Sequence, residues 1–429
     1  MVQFLRKTLQ SKLLSIECVG LLSLSLAYLS LIIIHRDFVP FWDGGYYYSC
    51  IQAAVKQNFS LLSFRCADHS SIVYVLYLRL TQYADPGNMF LLYLANAILA
   101  IASFVAFFFL ATQLFSRWLS SLECILLTWL YACMPVLVAH LFQINLDFGL
   151  ACFFVLYLSF LCRHRLWLAS LFAIAMIFTK ETGIAASIAS SILYLVFFPP
   201  TGTLREKMNC LLPLVTPGIL VMLYAVLLSV SLGSADKIYW SEGSMIKMSM
   251  GVVLDMNVAD PTMQYMLADI FVLNFQWVLT LLILTWPVVS IFRHQERAPR
   301  FGSGDQWNAK EMLFCILLFV ICVYAVTRFR PYNNARYVLL TYPLFVIAFG
   351  YALIYVFRER RARLMYLCTA LALIFVSNFQ TIDPVSRKFY GTFPPGEYPI
   401  LEMIPDMHSP LFMRDEMVYN LEFMQLGNQ

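Results

Sequence analysis

Asp43 stands between Trp42 and the pair Gly44-Gly45, in a run from Asp37 to Tyr48 that reads DFVPFWDGGYYY. The run follows directly on the first long apolar stretch. Its carboxylate therefore falls a few residues beyond the point where a spanning helix would leave a bilayer. On a loop that can bend at two glycines, that is the placement of a catalytic base. The plainer alternative makes Trp42, Tyr46, Tyr47 and Tyr48 headgroup-level aromatics and Asp43 the cap of the next helix.

Three other places carry charge where a membrane makes charge expensive. The apolar run Leu166–Thr179 is about 21 Å long at 1.5 Å per residue, short of a hydrocarbon core of about 30 Å. Lys180-Glu181 follows at once, and Gly183 opens the next short run. A Lys and a Glu at that depth need a solvated cavity or a partner. The first option makes Lys180 a cation in a cavity wall; the second makes Lys180–Glu181 a pair that tightens the turn. Between two later runs lies RFRPYNNARY, Arg328 to Tyr337, whose three arginines invite an anionic partner such as a phosphodiester. General attraction to phospholipid headgroups would serve as well. Asp147 opens the run Ile144–Cys162, as a second site carboxylate or a charge favoured by the helix dipole.

Together these residues describe a site at one membrane surface. A lipid-linked phosphate donor would keep its tail in the bilayer and present its phosphate to Lys180, Arg330 and Arg336. Asp43, with Asp147 nearby, would activate an acceptor hydroxyl or amine. Fixed positive charge would stabilise the departing phosphate. Trp42, Tyr46, His69, Glu181 and Tyr337 are the candidate substrate contacts. The scheme requires no metal, and no Cys/His spacing signals one, although a divalent ion stays compatible with it. Of eleven cysteines, only Cys50 and Cys66 fall on the site's side. They would pair in an oxidising compartment or remain two free thiols.

The elements that must position these groups are membrane helices. Hydrophobic residues make up 61% of the chain and charged ones 13%, with a mean hydropathy of +0.72. A soluble domain could not cover its surface from that supply. In lipid each backbone group must be satisfied within its own segment, so the apolar runs are helices. Eleven spans are expected: Leu13–Ile34, Gly87–Phe115, Leu122–Leu141, Ile144–Cys162, Leu166–Thr179, Gly183–Phe198, Leu211–Leu232, Ile270–Phe292, Glu311–Thr327, Val338–Phe357 and Leu364–Gln380. The first reads as a retained helix, since it lacks a small-residue cleavage pattern.

Of the 29 Lys and Arg residues, 16 fall on one set of six shorter connections. By the positive-inside rule that set is cytoplasmic, which places the amino terminus inside and the carboxyl terminus outside. Residues 1–380 form the membrane domain and 381–429 a short extracytoplasmic tail. The outer loops 35–86 and 233–269 are the longest connections. Apolar periodicity in Ile51–Val55 and Ile72–Leu80 predicts short surface helices in the first of them. The net charge of +4 is explained by topology and needs no nucleic-acid partner.

Four stretches resemble the GT-C superfamily of integral-membrane glycosyltransferases, specifically the branch of protein O-mannosyltransferases and bacterial lipid A aminoarabinose transferases. They are WDGGYYYSCIQAA around Asp43, DHSSIVYVLYLRL from Asp68, the segment from Asn145 to Gly183 holding Asp147 and Lys180, and ARYVLLTYPLF with Arg336-Tyr337 and Pro343. The resemblance implies a polyprenyl- or dolichyl-phosphate sugar donor and inversion at the anomeric carbon. Asp43 would be the general base, Asp147 would orient sugar or acceptor, and Lys180, Arg330 and Arg336 would hold the phosphate. The acceptor would be protein, lipid or glycan, and the membrane a bacterial inner membrane or that of the endoplasmic reticulum. Gly44 stands where the family often has a second acid, and Ser70-Ser71 where prolines are usual. These departures leave acceptor class and any metal role open. A lipid-linked sugar flippase would instead need broken midplane helices in paired halves, and no such halves are found. A non-catalytic scaffold of the same fold would tolerate loss of Asp43.

Overall fold

In the computed structural model each of the eleven apolar runs carries helix. Residues 15–36, 43–56, 72–232, 261–293, 306–328, 335–378 and 383–385 are described, and no strand occurs among them. The helices run α1 Ile16–Ile34, α2 Asp43–Lys56, α3 Ile72–Ala84, α4 Met89–Phe115, α5 Ser121–Ala132, α6 Pro135–Ala139 and α7 Leu146–Cys162. After these come α8 Leu166–Ile177, α9 Thr182–Phe197, α10 Leu204–Leu232, α11 Pro261–Phe271, α12 Gln276–Arg293 and α13 Gln306–Arg328. A 3₁₀ turn at Ala335–Leu340 leads into α14 Tyr342–Val356 and α15 Arg360–Ser377.

Among the described residues, four helices are long and apolar enough to cross a bilayer: Ile16–Ile34, Met89–Phe115, Leu204–Leu227 and Lys310–Thr327. Six shorter apolar helices, α7, α8 and α14 among them, accompany these. α1 and α10 sit at the periphery, exposing Leu22, Ile34, Met222 and Val226 as a lipid-facing surface would. The centre is α7, every residue of which except Leu156 and Phe160 is buried. It packs on α4 and α8.

Three expected elements are broken, each for a readable reason. The run Leu122–Leu141 divides at Pro135, which lacks an N–H and disfavours helical geometry at the residue before it. Met134 accordingly takes φ −58°, ψ 122°. The carbonyls left over are claimed across the bundle: Tyr28 Oη donates to Ala132 O, and Asn378 Nδ2 donates to Cys133 O at 2.8 Å. A second break falls at Asn274 and Phe275, both in the left-handed region at φ 55° and 62°. A bulky residue there is strained, and Asp383 holds the turn. Its carboxylate, 1% exposed, accepts from Phe275 N at 3.2 Å and Trp277 Nε1 at 3.1 Å. The third is the late span, which opens as the 3₁₀ turn carrying Arg336 before it becomes α14.

Asp43 is the first residue of α2, not a point on a bending loop, and Gly44-Gly45 lie inside that helix. The helix forms because Tyr47 and Ile51, one turn apart and 5% and 0% exposed, share a buried face against α3. Gln82 fastens the pair to the next turn, accepting from Gly87 N at 2.9 Å and donating to Asn88 O at 3.1 Å. Cys50 on α2 is disulfide-bonded, while the other described cysteines are free thiols. Cys66 lies outside the described residues. Pairing of Cys50 with Cys66 remains our proposal: after denaturation without reductant, thiol labelling should leave both unmodified, and labelled thiols at both would refute the pair.

Candidate active site: a buried lysine, arginine and aspartate

Asp147 owes its position to Asn145. That residue caps α7, its Oδ1 accepting from Asp147 N at 3.0 Å, so the carboxylate starts in the first turn, where the helix dipole favours it. Lys180 arrives from the α8–α9 hairpin. α8 stops at Ile177, and the chain turns with Lys180 N donating to Met176 O at 3.1 Å and Gly183 N to Lys180 O at 2.9 Å. Gly183 is required there, because a Cβ would stand 2.6 Å from Met176 O. Gly183→Ala should therefore displace the hairpin tip. We expect a loss of about 1–3 kcal/mol, read as a lower melting midpoint in detergent.

α3 braces the same region. Val73 N donates to Phe178 O at 3.0 Å, and Tyr74 Oη donates to Asn96 Oδ1 at 2.7 Å. The Tyr74 ring lies so close to α7 that a Cβ on Gly149 would meet it at 2.5 Å. The surface helix read from Ile72–Leu80 thus backs directly onto the helix that presents Asp147.

Lys180 Nζ donates to both oxygens of Asp147 at 2.7 Å. Arg336 Nε lies 3.4 Å from Asp147 Oδ2. Tyr337 receives both cations on its ring, with Lys180 Nζ 4.7 Å and Arg336 Cζ 5.4 Å from the centroid. Lys180, Asp147 and Arg336 are 3%, 5% and 6% exposed. The sequence left Lys180 between a cavity wall and a local pair with Glu181; among the described residues its ammonium hydrogen-bonds Asp147. It is buried on a carboxylate 33 residues away. At such depth an ionised group persists only beside an opposite charge, and two cations around one anion leave an excess of positive charge.

The structure thus gathers Asp147, Lys180, Arg336 and Tyr337. Glu181 is the half-buried residue preceding α9. Asp43 and Tyr46 are placed by the backbone of α2 alone, and Trp42, His69 and Arg330 lie outside the described residues. Among the described residues, no group of three His, Cys, Asp or Glu side chains is placed to hold a metal ion. Asn145, the residue that sets Asp147, was not singled out from sequence. Its signal is an Asn two residues ahead of an Asp at the start of an apolar run.

No protein-family model matches the chain, and no curated protein sequence matches it. Solved structures that share its fold include two of one protein. The crystal structure of ArnT from Cupriavidus metallidurans bound to undecaprenyl phosphate superposes with a TM-score of 0.59 at 14% identity, over 95% of this chain and 75% of that one. The apo structure of the same ArnT gives 0.57 at 12% identity, over 94% and 73%. At these identities the likeness is one of fold.

Proposed function

We propose that this protein is a membrane glycosyltransferase that moves a sugar from a polyprenyl-phosphate (or dolichyl-phosphate) donor to an acceptor on the extracytoplasmic side, with inversion. The observation that carries the reading is the buried Lys180–Asp147–Arg336 centre within a fold shared with an undecaprenyl-phosphate-bound ArnT. The positive-inside count of Lys and Arg supports the outer placement of this centre.

The reaction follows from the charges. An acceptor hydroxyl or amine attacks the anomeric carbon as Asp43 takes its proton. The bond from that carbon to the phosphate oxygen breaks, and its electron pair leaves with the phosphate. Attack from the face opposite the leaving group inverts the configuration. The donor phosphodiester carries one negative charge and the released lipid phosphate gains a second. Lys180 and Arg336, joined by Arg330, meet that developing charge with cations already held in place. Asp147 works as their anchor: by engaging Lys180 at both oxygens, it fixes the ammonium before the donor arrives. Trp42, Tyr46, His69, Glu181 and Tyr337 would line the sugar and acceptor path.

Mass spectrometry of lipid-linked sugars and surface glycans, in cells with and without the protein, tests the reading. Deletion should cause one lipid-phosphate sugar to accumulate and one glycan modification to disappear. Unchanged pools of both would refute the activity.

A further inference from the structure

At the other end of α7, about 25 Å from Asp147 for 17 residues at 1.5 Å each, lies a second polar site. A cavity of about 540 Å³ opens there, lined by Gln113, Phe160, Arg163, His164, Arg165, Leu168 and Glu311. Its volume is that of a small-ligand site, and its lining is sorted by charge.

Cations hold the rim. Arg163 is set in place by Phe109, its Cζ 4.6 Å over the ring and its Nη2 donating to Phe109 O at 3.4 Å. Arg165 is exposed and immediately precedes α8, which begins with no side-chain cap. Helix amides in the first turn bind anions, and Leu168 of that turn lines the cavity. Acceptors lie deeper. Glu311, 6% exposed, accepts from Gln113 Nε2 at 3.3 Å. Gln113 Oε1 is buried with no hydrogen-bond partner among the described residues. A purely anionic ligand would satisfy the rim and leave Gln113 Oε1 without a donor. Apolar surface continues outward from the rim: Leu168, Trp167 and Leu171 are 44%, 57% and 56% exposed. A chain attached to the ligand can lie along it.

We propose that this cavity binds a phospholipid headgroup of the ethanolamine type, a phosphate diester carrying a primary ammonium. The phosphate sits between Arg163, Arg165 and the start of α8. The ammonium donates to Glu311 and Gln113 Oε1, and the acyl chains follow Leu168 and Leu171. The site is independent of the glycosyl-transfer reading, since its test reads lipid retention alone.

The full chain, delipidated and reconstituted in phosphatidylcholine nanodiscs containing equal parts phosphatidylethanolamine and phosphatidylglycerol, should retain the ethanolamine lipid on gentle detergent extraction. About tenfold enrichment over the choline lipid is expected for a donor-satisfied floor. Arg165→Ala, which removes an exposed side chain, should lower retention about fivefold, and Arg163→Ala/Arg165→Ala should abolish it. Glu311→Gln should erase the preference for ethanolamine over choline. Soluble O-phosphoethanolamine should not displace the lipid; if it fills the site without lipid enrichment, the lipid assignment is wrong. Equal retention of ethanolamine and choline lipids by the unaltered chain, or unchanged enrichment in the double arginine variant, would overturn the proposal.

Discussion

Lys180→Ala is expected to lower kcat/KM for the lipid-phosphate sugar by about 10²–10³-fold, the effect of losing one charge-stabilising group at a leaving anion. The expectation rests on the 2.7 Å contacts that hold the ammonium on Asp147. The same substitution strips Asp147 of its closest partner, and breaking a buried pair destabilises by about 3–5 kcal/mol. A fall in activity alone would therefore not separate chemistry from folding. The double variant Lys180→Ala/Asp147→Ala separates them. It removes the stranded carboxylate, so the melting midpoint should recover relative to Lys180→Ala, while donor use stays lost. Recovery of both would make Lys180 a structural residue and nothing more. The kinetic effect should fall on the donor, with the acceptor KM little changed.

The second large effect is expected at Asp43. Asp43→Asn keeps the size and the helix-start position while removing the basic oxygen. Loss of a general base lowers turnover by about 10²–10⁴-fold. Donor affinity should be preserved, since the groups proposed to hold phosphate lie on the α8–α9 tip and the 3₁₀ turn before α14. Folding should be preserved too, because asparagine keeps the shape of the side chain and leaves the burial of Tyr47 and Ile51 untouched. A fully active Asp43→Asn protein would remove Asp43 as the base. An unfolded one would mean that its carboxylate serves α2 instead.

Sequence reading reached the helices because lipid leaves apolar runs no other structure, and each of the eleven stretches carries helix. It reached the three charged residues of the centre because charge at membrane depth stands out against its surroundings. Their pairing was beyond it. Lys180 has Glu181 as a covalent neighbour, and local spacing offers only that pair or a cavity wall. The actual partner lies 33 residues earlier, and only packing of the α8–α9 tip beside the start of α7 brings them together. Tyr337 shows the same limit: an aromatic next to an arginine is unremarkable in sequence, and its contact with Lys180 needs the whole bundle.

Local backbone was misread where a glycine pair suggested flexibility. Gly44-Gly45 lie within α2 because burial of Tyr47 and Ile51 outweighs the entropy that two glycines lose in a helix. The left-handed turn at Asn274-Phe275 was invisible for the converse reason. No local preference asks for it, and its support, Asp383, lies 108 residues away. The cavity around Gln113 and Glu311 escaped notice since its cations read as topology signals at a helix end.

The central claim is that Asp43 works on the acceptor while Lys180 and Arg336 hold the lipid phosphate. Titrating undecaprenyl phosphate onto the purified full-length protein and its Asp43→Asn and Lys180→Ala variants tests it most directly. The account predicts unchanged affinity for Asp43→Asn and at least about tenfold weaker binding for Lys180→Ala, the equivalent of one lost charge-assisted contact. Weakened binding by Asp43→Asn together with unaltered binding by Lys180→Ala would contradict it.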